Sequence, residues 1–329
     1  MSDLRRRVAS WDVLVVLLTV VVLVTAAGVV ENFGTSRNAT FLVLDLLPIA
    51  LVALPMTLII VTGEIDLSVA STLGLCSAVM GLLWNNGLSL ESIIGICVLL
   101  GAVLGVVNGF LVTALGLPSL AVTIGTLALY RGLAFVVLGD GAVADFPLAF
   151  TGWVTGTIGG TPIPNVGIPL VVLAVLFGVA LHATPFGRSL FAIGANAQAA
   201  HFSGIRVART TFWLYVLSGA VAGLAGVLWT LRYSSARADN GAGLELAVVA
   251  AVLLGGVSIF GGKGTLPGVL AGVVLLAALQ NALRLEDVSG QALNIVTGVL
   301  LVASVLLPNI ATSIRTSWQR RRLRRAAAQ

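Results

Sequence analysis

The sequence predicts an all-α polytopic membrane protein with about ten transmembrane helices, both termini cytoplasmic and some helices broken. Composition is the first support. Of the 329 residues, 58% are hydrophobic and 9% charged, where soluble domains carry about 25% charged residues. Length is the second. The apolar residues come in blocks of about 20, which at roughly 1.5 Å per residue cross the hydrocarbon core of a bilayer. Charge asymmetry is the third, and it sets the orientation.

Taken in order, the predicted spans are 11–30, 41–62, 67–84, 91–115, 119–138, 168–183, 211–231, 244–259, 266–284 and 291–308. The first follows Arg5, Arg6 and Arg7. Its apolar core exceeds the roughly 7–15 residues of a signal peptide and reads as an uncleaved anchor. Pro48 and Pro55 make the second span irregular. Asp45 lies within it and is expected to be protonated or paired. Glycines repeat every four residues at Gly101, Gly105 and Gly109, at Gly219 and Gly223, and at Gly264, Gly268 and Gly272. Such stripes let helix backbones approach closely in lipid. Cys76 and Cys97 sit inside apolar blocks, as small hydrophobes rather than a disulfide or zinc framework.

With both termini inside, the inner segments hold Arg5, Arg6, Arg7, Arg188, Arg206, Arg209, Lys263, Arg315, Arg320, Arg321, Arg322, Arg324 and Arg325, thirteen of the 18 Lys and Arg residues. Arg37, Arg232, Arg237 and Arg284 fall outside. That bias favours this topology over its inverse. The basic C-terminal run suits anionic lipid beside a span, not nucleic acid. The chain is one transmembrane domain over 1–329, with short tails at 1–10 and 309–329. Its longest connections are 139–167 outside, turn-rich or re-entrant, and 184–210 inside.

Several residues stand out against this background. In TGEIDLSVAS, Glu64 and Asp66 lie between two apolar blocks. Either Asp66 or Ser68 caps the helix that follows, or the segment is a conformationally active break lining a solute path. Arg131 lies about twelve residues into its span, where a charge costs about 2.5–3.5 kcal/mol on insertion scales. It requires a fixed salt bridge or a place on the solute path, and Asn108 is a weaker candidate of the same kind. In the inner loop, Asn196 suits an N-cap, AQAAHFS can form two helical turns, and Gly204 suits the left-handed position that ends them. Flanked by Arg188, Arg206 and Arg209, this short helix reads as a docking knob or as an interfacial loop. His201 has no second histidine near it, and no metal site is expected.

The stretch GGVSIFGGKGT, residues 255–265, fails as a phosphate loop. That loop needs a glycine five residues before the Gly-Lys pair, and Val257 stands there. It also needs Ser or Thr after the lysine, and Gly264 offers no hydroxyl for Mg²⁺. No nucleophile–base pair or soluble acid–base pocket is visible either.

The order GEIDLSVAS, NGFLV, IGTLALYRGLAF, TPFGRSLFAIGANAQAAHFSGIRV and GLELAVVAAVLLGGVSIFGGKGTLPGVLAG resembles the permease subunits of bacterial simple-sugar ABC importers, the ribose, xylose and rhamnose type. The resemblance runs from about residue 40 to 308. It implies a multi-pass inner-membrane subunit that is not itself an enzyme and binds no cofactor. ATP and Mg²⁺ would belong to ATP-binding cassette subunits. The other partners implied are an extracytoplasmic sugar-binding protein and a second permease copy or paralogue. The positions matching its coupling segment are Gly194, Asn196, Ala200, Ser203 and Gly204, and those matching its first signature are Asp66, Leu67 and Ser68. Ala70 departs from the glycine that many relatives carry. The expected solute is a pentose or deoxyhexose, with rhamnose one candidate. A branched-chain amino-acid permease and a proton-coupled transporter using Asp45, Glu64, Asp66 and Arg131 are the alternatives.

Overall fold

The computed structural model describes residues 11–304 and 306. The predicted tails, with Arg5, Arg6, Arg7 and the arginine run near the C-terminus, lie outside the described residues. The helices are α1 Trp11–Val29, α2 Ser36–Val61, α3 Val69–Asn85, α4 Leu90–Thr113, α5 Ser119–Leu138, α6 Leu148–Thr155, α7 Gly167–Ala183, α8 Pro185–Ala195, α9 Ala197–Phe202, α10 Val207–Tyr233, α11 Leu244–Leu254 and α12 Leu266–Leu285. A last apolar helix, α13, covers Gly290–Ser304. Each predicted span overlaps one of these helices. Six of them (α1, α2, α4, α5, α10 and α12) are long and apolar enough to cross a membrane alone. The pair α7 and α8, bent by 67° at Thr184, qualifies together, while α3, α11 and α13 are shorter. Among the described residues, which take in only part of the predicted span 291–308, six or seven helices are full-length spans where the sequence predicts about ten. Strand content among the described residues is limited to β1 Ala142–Val143 and β2 Ala236–Arg237, paired antiparallel with Ala142 opposite Arg237.

The centre of the molecule is α2. Every residue from Leu46 to Val61 is buried, as expected for a helix apolar on all sides. It passes through Pro48 and Pro55 without interruption, although proline removes the amide that would bond the carbonyl four residues back. Burial among neighbouring helices makes such prolines tolerable. At the periphery, α1 exposes Leu14, Leu17, Val21 and Val24 to the surroundings. It is fastened by Trp11, whose Nε1 donates to the Leu254 carbonyl at 2.9 Å, and by Thr19, which donates to Ala271 at 3.2 Å.

Small residues let α4 and α10 approach closely. A β-carbon on Gly101 would sit 2.2 Å from the Gly219 carbonyl oxygen, and one on Gly105 2.2 Å from that of Tyr215. On the other side, one on Gly223 would meet the Cys97 carbonyl at 2.5 Å. Gly268 and Gly272 pack α12 on α11 in the same way, at 2.3 Å from Gly255 and 2.4 Å from Ala251. Gly264, the first of that predicted stripe, lies before α12 in the turn. Cys76 and Cys97 are fully buried free thiols, each directed at the other's backbone carbonyl.

Candidate functional site

The break between α2 and α3 is held by hydrogen bonds at almost every step. Helix α2 ends in a Schellman arrangement: Glu64 N–H donates to Ile59, Gly63 N–H donates to Ile60, and Gly63 has φ +88°. Beyond it, the Ile65 amide donates to Ser119 Oγ at 3.3 Å, and its carbonyl accepts from Tyr215 at 3.2 Å and Thr123 at 3.4 Å. Backbone that leaves a helix at membrane depth needs such partners.

Asp66 organises the rest of the break. Its Oδ1 accepts from the Ser68 amide at 3.0 Å and the Ser68 hydroxyl at 2.7 Å, an Asx-type turn. Its Oδ2 accepts from Ser218 on α10 at 3.0 Å. Asn108 on α4 donates to Ser68 Oγ at 2.7 Å and accepts from Tyr130 on α5 at 3.5 Å. Asp66 is thus 1% exposed and receives hydroxyl and amide donors from the start of α3 and from α10. Ser68 takes the N-cap position of α3 without a capping bond from its side chain, so the helix start is secured through Asp66. The sequence-predicted Asp66, Ser68 and Asn108 meet in this one network. Glu64 is half-buried and stands outside it. Ser218 and Tyr130 belong to it and escape sequence reasoning, because lone polar residues in apolar helices give no spacing signal.

Arg131 has a different environment. Its guanidinium donates to the carbonyls of Ala238 at 2.6 Å, Asn240 at 2.8 Å and Ala70 at 3.1 Å. The partners are backbone oxygens rather than the carboxylate of a fixed salt bridge. Gly74 makes the space, since a β-carbon there would lie 2.3 Å from Nη1. Arg131 therefore ties α3 and α5 to the non-helical segment between β2 and α11. An exposed ion pair joins β2 to the start of that segment, Arg237 with Asp239 at 2.8 Å. The hydrogen bond from Arg237 holds the Asp239 carboxyl below its usual range.

At one end of the molecule, three chain segments converge on glycine. The Gly262 amide donates to the Val61 carbonyl at 2.9 Å. A β-carbon on Gly194, near the end of α8, would lie 1.9 Å from that carbonyl and 2.4 Å from the Gly262 nitrogen. One on Gly261 would meet the Gly63 amide at 2.9 Å. The failed phosphate loop is thus a turn locked between α8 and the end of α2. Next to it, Asn196 caps α9, its Oδ1 accepting from Ala199 N–H at 2.9 Å. Gly204 ends that helix with φ +86°, its amide bonded to His201 and that of Ile205 to Ala200. The loop prediction is exceeded here, because α8 also is helical. Arg188, Asn196, Ser203 and Gly204 lie on this end, but Ala200 is 4% exposed and packs inward. The prominent apolar groups are Phe202, 80% exposed, and Phe260, 75% exposed.

At the opposite ends of α2 and α10, Asp45 is paired. Arg232 Nη2 bonds its Oδ1, and Arg284 Nη1 bonds its Oδ2 at 3.3 Å.

Long apolar helices, buried helix breaks and close glycine packing describe a multi-pass helical membrane protein. The family profile described as "Branched-chain amino acid transport system / permease component" matches residues 38–305, and the chain belongs to that family. It is an ABC-type permease subunit of the bacterial inner membrane. The autoinducer 2 import system permease protein LsrD of Yersinia pseudotuberculosis serotype O:1b (strain IP 31758) is 37% identical over 293 residues, 86% of this chain and 87% of that protein. LsrD of Yersinia pestis (strain Pestoides F) is 36% identical over the same shares. No solved structure matches the chain.

Proposed function

We propose that this chain is the membrane-spanning subunit of an importer for a small sugar-like solute, moving it inward by alternating access. The observation that carries the reading is similarity across 86% of the chain to permeases named for autoinducer 2 import. In this reading the end carrying α8, α9 and residues 255–265 is cytoplasmic, as are both termini, and α3, α11 and α13 complete ten crossings. Two ATP-binding subunits hold ATP and Mg²⁺ and dock on the knob around Phe202 and Phe260, with Arg188, Arg206 and Arg209 around them. A binding protein delivers solute to the opposite mouth, and a second permease subunit completes the path. Closure of the ATP-binding partners displaces α9, which biases a two-state arrangement of the spans.

Uptake distinguishes the solute classes. The family is described for branched-chain amino acids, whereas the relatives above are named for autoinducer 2. Cells with the complete importer should accumulate labelled autoinducer 2, L-rhamnose or D-ribose, and not leucine. Phe202→Asp should abolish that uptake and co-purification of the ATP-binding subunit while leaving membrane insertion intact. Leucine uptake without sugar uptake would move the chain to the amino-acid class. Import by the chain without an ATP-binding partner would make it a secondary transporter.

A further inference from the structure

On the side of the bundle, α4, α6 and α10 enclose a groove of about 430 Å³. Every residue that lines it is apolar, among them Ile94, Ala149, Phe150, Trp153, Leu224 and Leu228. Apart from the Trp153 indole, no lining side chain can bond a polar ligand, so the groove suits hydrocarbon.

Its depth suits a lipid chain. Both α4 and α10 are long and apolar enough to cross the membrane. Leu224 precedes the end of α10 at Tyr233 by about 14 Å, at roughly 1.5 Å per residue, close to the hydrocarbon depth of one leaflet. Helix α6 forms the outer lip. Its Leu148 is 86% exposed and its Trp153 50% exposed, and tryptophan with one open face is typical of the membrane interface.

At the helix ends the lining changes from apolar to basic. Val154 and Leu231 line the groove, and the residues after them, Thr155 and Arg232, line an adjoining cavity of about 360 Å³ together with Arg37 and Thr40. The Arg232 guanidinium is held by Asp45 and lies 4.8 Å from the Tyr233 ring centre, so its charge is already met. Arg37 is the available cation. It lies in the first turn of α2, is exposed, and forms no ion pair among the described residues, with Glu31 or any other acid. Its guanidinium rests 5.8 Å from the Phe41 ring centre. An apolar slot beneath an unpaired guanidinium complements an acyl chain beneath an anionic headgroup.

We propose that the groove between α4, α6 and α10 holds one acyl chain of an anionic phospholipid, whose phosphate pairs with Arg37. The inference needs only the membrane location of the chain and is independent of the solute. A bound lipid fills the space between α6 and the flank of α10 and braces the outer helix against the bundle.

Lipid retention by the purified full chain tests the site. After detergent exchange, native mass spectrometry measures binding of palmitoyl-oleoyl phosphatidylglycerol and of the phosphatidylcholine with the same chains. For the tightest-bound lipid, phosphatidylglycerol should be preferred by about five-fold. Arg37→Gln should erase that preference and Arg37→Lys should keep it. Ala149→Trp, which fills the groove from an exposed position, should weaken binding of both lipids. Leu228→Phe narrows the same groove from α10 and serves if Ala149→Trp fails to insert. Glycerol phosphate, a headgroup without chains, should displace neither lipid. Three results would overturn the site: equal binding of the two lipids, a preference that survives Arg37→Gln, or retention indifferent to both groove substitutions. Displacement by glycerol phosphate would make Arg37 a free-anion site, and a lipid-free dimer that Ala149→Trp dissociates would give the groove to a second copy of the chain. Either outcome rejects the lipid.

Discussion

Arg131 illustrates how a residue's depth and its partners are separate facts. Its place in an apolar helix announces that it must be paired, since a lone charge there is expensive. The pairing itself is with three backbone carbonyls, made reachable by the missing side chain of Gly74. Hydrogen bonds to a charged group contribute about 1.5–3 kcal/mol each, and buried acceptors left unpaired cost nearly as much. Arg131→Leu should therefore lower the thermal stability of the purified chain by at least about 2 kcal/mol. Gly74→Ala should do so too, by pushing the guanidinium aside, and Arg131→Lys less. A leucine variant that melts with wild type, but transports poorly, would move Arg131 from fastening to the solute path.

Among the elements, α9 and the turn at 255–265 matter through what they touch. Gly194 leaves no room between the Val61 carbonyl and the Gly262 amide, so a push on α8 and α9 reaches the end of α2 through backbone contact. Crowding such a contact typically costs about 1–3 kcal/mol. Gly194→Ala should permit insertion and assembly but reduce sugar-stimulated ATP hydrolysis at least about five-fold, the effect of roughly 1 kcal/mol. Gly204→Val should act similarly by forcing a β-branched residue to φ +86°. Stimulated hydrolysis at wild-type levels in both variants would make this end a connector. Ala200, although it matches the family's coupling segment, faces inward. Its enlargement would disturb the seat of α9 instead of presenting bulk to a partner.

For the whole molecule, the proposed division of labour assigns nucleotide chemistry to a partner subunit. The helices of this chain enclose hydrogen-bonded breaks and glycine contacts, and the glycine-rich stretch around Lys263 is consumed in locking α8 to α2. Purified alone in lipid, the chain should hydrolyse no ATP. Hydrolysis that persists in a preparation verified as a single chain would refute the assignment of nucleotide chemistry to a partner.

Length, apolarity and the position of caps were legible from the residues themselves. A 20-residue apolar block has few alternatives to a helix in lipid, and Asn196 and Gly204 act on amides within a few residues of themselves. The meeting of Asp66, Ser68 and Asn108 was foreshadowed only as separate candidates, and the exclusion of Glu64 was not visible at all. Sequence could not show that Asp45 holds two arginines roughly 190 and 240 residues away, that Ala200 faces inward, or that the helical parts of α3 and α11 are shorter than the apolar blocks that contain them. Those outcomes depend on which helix faces meet. In an apolar bundle that choice is made by small residues and isolated polar groups, whose partners lie far away along the chain. The sequence by itself determined a multi-pass helical protein with local caps and breaks, because those follow from short-range hydrogen bonding and hydrophobic length. The tertiary structure alone decided which buried polar atoms found partners, and that Arg232 Nη1 found none among the described residues.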